Sequence, residues 1–303
     1  MRIVFMGTPS YATRIFEGLL RDEDTEVVCV VTQPDKRAGR KMKLTPPHIK
    51  SYILKNSLDI PVLQPETLRD EKVVEEIRKF DPDFIVVAAY GQILPKEVLD
   101  ITYCINLHAS ILPKYRGASP IQRAILNMDE FTGVTAMLMD EGLDTGDMLG
   151  FSYVKIGDMK DFELFELLSE EAEKLTPKIL KNFGNIEPIK QLDALASYAK
   201  KIEKREGLID FSDALSIYAK FRAFYSWPGI FLKSGLKIRE MSVSDMESEN
   251  KEGEILEILK ESIIVGCKKG KIEIKKVQPP SKKEMDAVSY LRGKRLKVGD
   301  TLS

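Results

Sequence analysis

"DFIVVAAYG" (residues 83–91) and "YCINLHA" (103–109) are apolar at nearly every position instead of every second one. Strands with that pattern are covered on both faces, as happens in a parallel sheet with helices on either side. The run "RIVFMG" (2–7) belongs to the same class and stops at Gly7. Behind it Ala12, Ile15, Phe16, Leu19 and Leu20 recur at helical spacing, with Thr8 and Pro9 suited to the N-cap and first turn. A further strand is expected at "EVVCVVTQ" (26–33), and helices near 47–57 and 70–80. "TGVTAMLMD" (132–140) and "GDMLGFSYVKI" (146–156) read as a hairpin closed by the loop 140–147, and a long helix follows over 161–183, interrupted or ended near Pro177. This alternation predicts an open, mostly parallel, Rossmann-like α/β sheet, with ligands at the carboxyl ends of the strands.

Beyond 188 the composition shifts. Residues 189–207 are polar with few large apolar side chains and read as a linker between a first domain (1–188) and a second (208–303). Past "AFYSWPGIFL" (223–232) short alternating runs at 229–233, 236–243, 253–265 and 271–277 predict a small β-barrel or sandwich, an OB-like barrel among the candidates.

The 303 residues are 43% hydrophobic and 31% charged, which is the composition of a globular chain with two cores. There is no basic, apolar leader at the start and no run of about 18 apolar residues, so a cytoplasmic protein is expected. Three distant cysteines, Cys29, Cys104 and Cys267, read as packed thiols. The net charge is −1, yet between 260 and 303 Lys and Arg outnumber Asp and Glu twelve to five. A basic tail on an acidic body fits a polyanionic partner or a solvated face.

Several segments carry polar groups able to do chemistry. At the exit of the last apolar strand Asn106 and His108 share one face while Leu107 turns to the other. An amide and an imidazole so placed can hold an oxygen that gains charge in acyl transfer, or can satisfy local backbone. The loop "MDEGLDTGDML" (139–149) gathers Asp140, Glu141, Asp144 and Asp147. No nitrogen or sulfur partner lies near enough in sequence to make a metal site, so a carboxylate that manages protons beside a histidine is one reading and a solvated acidic turn the other. The loop "QPDKRAGRKMKLTPP" (33–47) carries Lys36, Arg37, Arg40, Lys41 and Lys43, and a connection that long in a compact domain is usually functional. Its charge suits a phosphate backbone or duplex end. Only Gly7 stands where a dinucleotide-binding turn would want three glycines, which argues against a nicotinamide enzyme.

Together "MRIVFMGTP", "VVTQPDKRAGR", "VVAAYGQILP", "INLHASILPKYRGASPIQRAI", "GVTAMLMDEGLDTGDML" and "YSWPGIFL" resemble, in order and over nearly the whole chain, the methionyl-tRNA formyltransferase family. The resemblance implies formyl transfer from 10-formyltetrahydrofolate to the α-amino group of methionine on initiator tRNA, by a monomer without a metal. It assigns catalysis to Asn106, His108 and Asp144. The folate is expected along Ser110, Ile111, Leu112 and Pro113, with its pterin near Tyr90, Gly91, Gln92, Ile93 and Leu94. Lys36, Arg37, Arg40, Lys41 and Lys43 would meet the end of the acceptor stem, and the C-terminal barrel would hold tRNA phosphates. Departures are mild: Ile111, Lys114 and Ser119 stand where the family more usually has Leu, Arg and Ala, and the basic loop lacks the proline often found before Ala-Gly-Arg. Alternatives are a formyltransferase acting on an amino sugar nucleotide, and a non-catalytic tRNA-binding protein on the same scaffold.

Overall fold

The computed structural model describes residues 1–38 and 42–303. The chain divides into two compact units.

The first unit comprises Met1–Pro120, Phe131–Lys155 and Phe165–Ala199. Its strands in the central sheet are β1 (Arg2–Gly7), β2 (Glu26–Val31), β5 (Val62–Leu63), β6 (Phe84–Ala88), β7 (Tyr103–His108), β9 (Phe131–Leu138) and β10 (Met148–Lys155). A separate pair, β3 (Lys36–Ala38) and β4 (Lys43–Thr45), forms an antiparallel ribbon. Two more short strands, β8 (Arg116–Gly117) and β11 (Tyr198–Ala199), pair in parallel. The helices are α1 (Ser10–Arg21), α2 (His48–Lys55), α3 (Glu71–Arg78), α4 (Lys96–Leu99) and most of α6 (Asp161–Asn182), while α5 (Pro120–Leu126) runs on into the second unit.

The sheet order is β10-β9-β7-β6-β1-β2-β5. Strands β7, β6, β1, β2 and β5 are mutually parallel, and β9 and β10 close the edge as an antiparallel hairpin. That is the predicted open α/β sheet. Its centre is the driest part, as the doubly apolar runs require: Ile3, Val4, Phe5, Ile85 and Val86 have no exposed surface. Each such side chain contributes about 1.5–3 kcal/mol on burial. Gly7 ends β1 because a Cβ there would lie 2.4 Å from Ala12 Cβ, so α1 can approach the strand end only over a glycine.

Details differ from the sequence reading in three places. Pro9, and not Thr8, occupies the N-cap of α1, and the Thr8 hydroxyl instead donates to the Tyr90 carbonyl at 2.9 Å, tying the exits of β1 and β6. Helix α6 runs unbroken through Pro177. Residues 189–207, read as a linker, divide between the units: 189–199 packs into the first, where Ile189 exchanges backbone bonds with Met148 and Tyr198–Ala199 pairs with Arg116–Gly117. Polar composition concealed this because the contacts are hydrogen bonds and not an apolar stripe.

The second unit comprises Ile121–Glu130, Ile156–Leu164 and Lys200–Ser303. It contains α7 (Ala214–Ala223), α8 (Ala287–Lys294) and the strands β12 (Ile230–Phe231), β13 (Lys237–Asp245), β14 (Ile255–Ile258), β15 (Ile263–Gly266), β16 (Lys271–Gln278) and β17 (Met285–Asp286). They form an antiparallel sheet in the order β12-β13-β16-β15-β14, with β17 against β16, the small β domain expected. The run 253–265 is two strands, not one, because the chain turns at Leu259–Ser262. Arg123 bonds Glu206 at 2.6 Å inside this unit. Among the described residues no helix is long and apolar enough to cross a membrane. Burial pushes the thiols of Cys29, Cys104 and Cys267 up to about 12, as befits packing groups.

Candidate active site

Strand β7 ends in Asn106, Leu107 and His108, and its two-residue period sends both polar side chains to one face. All three are buried. Tyr11 of α1 donates its hydroxyl to the Leu107 carbonyl at 3.3 Å, so the strand end is held from the helix layer as well. The neighbouring strand β9 runs antiparallel, with Met137 opposite Asn106 and Thr135 opposite His108. The loop after β9 then returns Asp144 to the same face.

The three groups meet there. His108 Nδ1 lies 3.6 Å from Asp144 Oδ2, a Coulombic distance slightly beyond hydrogen-bond reach. Its Nε2 is 2.9 Å from the Tyr115 carbonyl, which can only accept, so this nitrogen carries a proton. Asn106 Nδ2 donates to Asp144 Oδ1 at 3.4 Å. Asp144 Oδ2 accepts the Gly117 N–H at 2.7 Å. The carboxylate therefore has one oxygen firmly occupied and one loosely held. Asp144 itself has φ +54°, the left-handed region that a side chain enters at a cost of about 1–3 kcal/mol. At Gly146 a Cβ would lie 1.6 Å from the Leu138 carbonyl oxygen, so the loop can close only over a glycine.

The segments assigned to folate flank this group. Ser110 is fully buried, donates its hydroxyl to the Lys114 carbonyl at 2.6 Å, and accepts at its own carbonyl from Thr135 Oγ1 at 2.7 Å. The same Thr135 oxygen accepts the Leu112 N–H at 3.0 Å. Those bonds fix the turn 110–114 against β9, with Ile111 and Pro113 half-buried. Tyr90 is buried, and its hydroxyl has no hydrogen-bond partner among the described residues. Such a group next to an open turn is what a polar heterocycle would satisfy. At Gly91, φ +90°, nothing lies within 4 Å of where a Cβ would stand, and Ile93 is 70% exposed. Gln92 Nε2 reaches the Pro65 and Glu66 carbonyls at 3.4 Å. A surface cleft of about 630 Å³ is lined by Ile93, Leu94, Arg69, Val74, Arg78 and Glu141 among others. It takes in part of the expected pterin segment and none of Asn106, His108 and Asp144.

In the basic loop Lys36, Arg37 and Lys43 are exposed on the β3–β4 ribbon, whereas Arg40 and Lys41 lie outside the described residues. The ribbon grows from a fixed root. Lys50 of α2 bonds both Asp35 oxygens at 3.0 Å and Gln64 Oε1 at 2.5 Å. Gln64 Nε2 donates to Asp35 Oδ1 at 2.7 Å and to the Gln33 carbonyl at 2.8 Å. These bonds to Gln64 and Lys50 hold the Asp35 carboxyl below its ordinary range. Neither Lys50 nor Gln64 stood out in the sequence. Among the described residues no group of three or more His, Cys, Asp and Glu side chains is placed to hold a metal ion.

Residues 1–180 match the formyl transferase family model, and residues 201–295 match the formyl transferase C-terminal domain. A methionyl-tRNA formyltransferase of a Nitratiruptor species is 61% identical over 302 residues, 99% of each chain. The chain belongs to the methionyl-tRNA formyltransferase family. The enzyme of that name from Wolinella succinogenes is 53% identical, covering 100% of this chain and 99% of its own. Among solved structures, HypX from Aquifex aeolicus in complex with tetrahydrofolic acid superposes with a TM-score of 0.63 at 18% identity, over 96% of this chain and 47% of that one. The N-formyltransferase from Helicobacter canadensis, in complex with folinic acid and dTDP-3-aminofucose, gives 0.62 at 19% identity over 91% and 99%. At such identities the likeness is one of fold. Membership in the methionyl-tRNA formyltransferases rests on the full-length relatives.

Proposed function

We propose that Asn106, His108 and Asp144 carry formyl transfer from 10-formyltetrahydrofolate to the α-amino group of methionyl initiator tRNA. The observation that carries this reading is the convergence of an amide donor, an imidazole and a carboxylate on one buried face, with Asp144 3.4 Å from Asn106 and 3.6 Å from His108. Full-length relatives above 50% identity that bear the tRNA enzyme's name favour a tRNA acceptor over an amino sugar.

The folate, when bound, supplies the formyl carbon; everything else falls to the chain. A free α-amino group has a reference pKa near 8, so a useful fraction is neutral at physiological pH without a strong base. Positioning and oxyanion stabilisation then dominate. Asn106 Nδ2 has a second N–H beyond the long bond to Asp144, and His108 Nδ1 is the ring nitrogen left for the reacting group, since Nε2 is tied to Tyr115. Nδ1 donates to an oxyanion only in the imidazolium, in which both ring nitrogens carry a proton. Asp144 Oδ1, held among the described residues by a 3.4 Å contact alone, is the oxygen suited to take the amine's proton through a water, while Oδ2 stays with Gly117.

The orphaned Tyr90 hydroxyl and the turn 110–114 support folate binding beside the triad. The β3–β4 ribbon and the exposed lysines of the second unit, Lys268, Lys269 and Lys275, suit tRNA phosphates. In this reading the enzyme works as a monomer in the cytosol. The test is direct: 10-formyltetrahydrofolate is offered with charged initiator tRNA, elongator methionyl-tRNA and amino sugar nucleotides. Formyl groups found only on initiator methionyl-tRNA support the reading, and formylation of a sugar, or no transfer, overturns it.

A further inference from the structure

Gln191 lies nine residues beyond the end of α6, in the polar stretch that stays within the first unit, and it is buried. Its carboxamide is fully used. Nε2 donates to the Asp144 carbonyl at 2.9 Å and to the Gly146 carbonyl at 2.7 Å, and Oε1 accepts from Arg116 Nε at 3.0 Å. Two donors and one acceptor in that arrangement describe an amide and nothing else of the same size: a carboxylate would set lone pairs against two carbonyl oxygens, and asparagine is one methylene short.

These bonds matter because of what Asp144 is made to do. Its backbone stands at φ +54°, where a side chain is disfavoured unless the surroundings over-determine it. Gln191 grips the Asp144 carbonyl, and the Gly117 N–H grips its carboxylate. Arg116, next to Gly117 in the chain and 2% exposed, joins the two grips through Gln191 Oε1 and is itself held by Asp193 at 2.9 Å. The same stretch reaches the histidine: Ser197 Oγ accepts the Tyr115 N–H at 2.9 Å, and the Tyr115 carbonyl accepts from His108 Nε2.

We infer that Gln191 is a positioning residue for formyl transfer: clasped by Arg116, it fixes Asp144 in its left-handed conformation so that the carboxylate stays against Asn106 and His108. It touches no reacting atom and acts only through Asp144. This inference rests on the proposed role of Asp144.

The test uses the full chain with two replacements, Gln191→Met, which removes donors and acceptor at similar volume, and Gln191→Glu, which keeps the shape and reverses the donors. Loss of placement by about an ångström typically costs on the order of 100-fold, so kcat should fall about 10- to 100-fold. KM for 10-formyltetrahydrofolate and for methionyl-tRNA should stay within about twofold. A residue of general structural importance would instead lower the yield of folded enzyme and leave its turnover intact. In an Asp144→Asn background, either replacement should add less than about twofold, because its route to the reaction is already cut. Near-parental kcat in a folded Gln191 variant, or a loss that multiplies with that of Asp144→Asn, overturns the inference. If one variant does not fold, the other supplies the same readings. Asp144→Asn alone separates the two layers: normal turnover there defeats the role of Asp144, whereas its loss beside an unaffected Gln191 variant defeats the positioning role alone.

Discussion

The Gly117 N–H sits 2.7 Å from Asp144 Oδ2, and that same oxygen is the one nearest His108. A main-chain donor from beyond the strand thus sets which face of the carboxylate the imidazole sees. The other oxygen takes the long 3.4 Å bond from Asn106 and is the one proposed to accept the amine's proton.

Asp144→Asn keeps the shape of this arrangement and removes its charge. It is expected to fold, bind folate normally and lose most turnover, about 100-fold or more. Asn106→Ala should cost about 10²- to 10³-fold, the usual loss for one oxyanion donor. Single-turnover formyl transfer alongside folate titration checks both. Near-normal rates in either would remove that residue from the mechanism.

The basic loop 33–47 should act on tRNA alone. With alanine at Arg37, Arg40 and Lys43, KM for methionyl-tRNA should rise about tenfold or more. The slope of log affinity against log salt should flatten by up to about 0.9 for each phosphate that is no longer neutralised. Folate affinity should not move. An unchanged salt slope would reduce the ribbon to plain surface.

The root of that ribbon makes its own prediction. Lys50→Met takes away the ammonium that bonds Asp35 and Gln64, freeing the ribbon without altering its charge. KM for methionyl-tRNA should rise roughly tenfold, the order of one charge-assisted hydrogen bond, while kcat at saturating tRNA is kept. Equal tRNA affinity in the variant would show that the root does not direct the ribbon.

Gly146→Ala drives a methyl group onto the Leu138 carbonyl. The loop must open, which carries Asp144 away from His108. Turnover should drop at least as far as in Asp144→Asn, and the melting temperature should fall with it. A fully active Gly146→Ala enzyme would contradict the loop geometry.

In the second unit, hydrogen bonding to Arg123 holds the Glu206 carboxyl below its ordinary value of 4.5. A depressed carboxylate adds stability above its unfolded value and loses it as pH falls through the lower folded one. Arg123→Met should therefore cost about 1 kcal/mol near pH 7, the pair being partly exposed. Parent and variant should converge in acid, once pH has fallen through the lowered folded value. Urea midpoints at the two pH values measure this, and a gap that persists in acid would assign the loss to packing.

How legible was this in the chain? The doubly apolar runs of β6 and β7 announced a parallel sheet because burial on both faces leaves no room for alternation. Asn106 and His108 were legible for the opposite reason, as two polar residues in phase at the end of such a run. Asp144 was one of four acids in its loop and stood out only through the family resemblance, since nothing local reveals a left-handed backbone at an aspartate. Gln191 was invisible. Hydrogen bonds between segments tens of residues apart leave no period, and a stretch like 189–199 looks the same whether water or protein satisfies it. Lys50 and Gln64 share that fate, as does the continuity of α6 through Pro177.

The parallel pairing of β11 with β8 has a consequence in time. A nascent chain that has left the ribosome only as far as β10 already contains Asn106, His108 and Asp144, yet lacks the segment that holds their loops. Competence would thus arrive late in synthesis, once Gln191 to Ala199 has emerged and laid itself beside Arg116 and Gly117. A truncated product ending before that point would carry the three proposed catalytic residues without the segment proposed to position them.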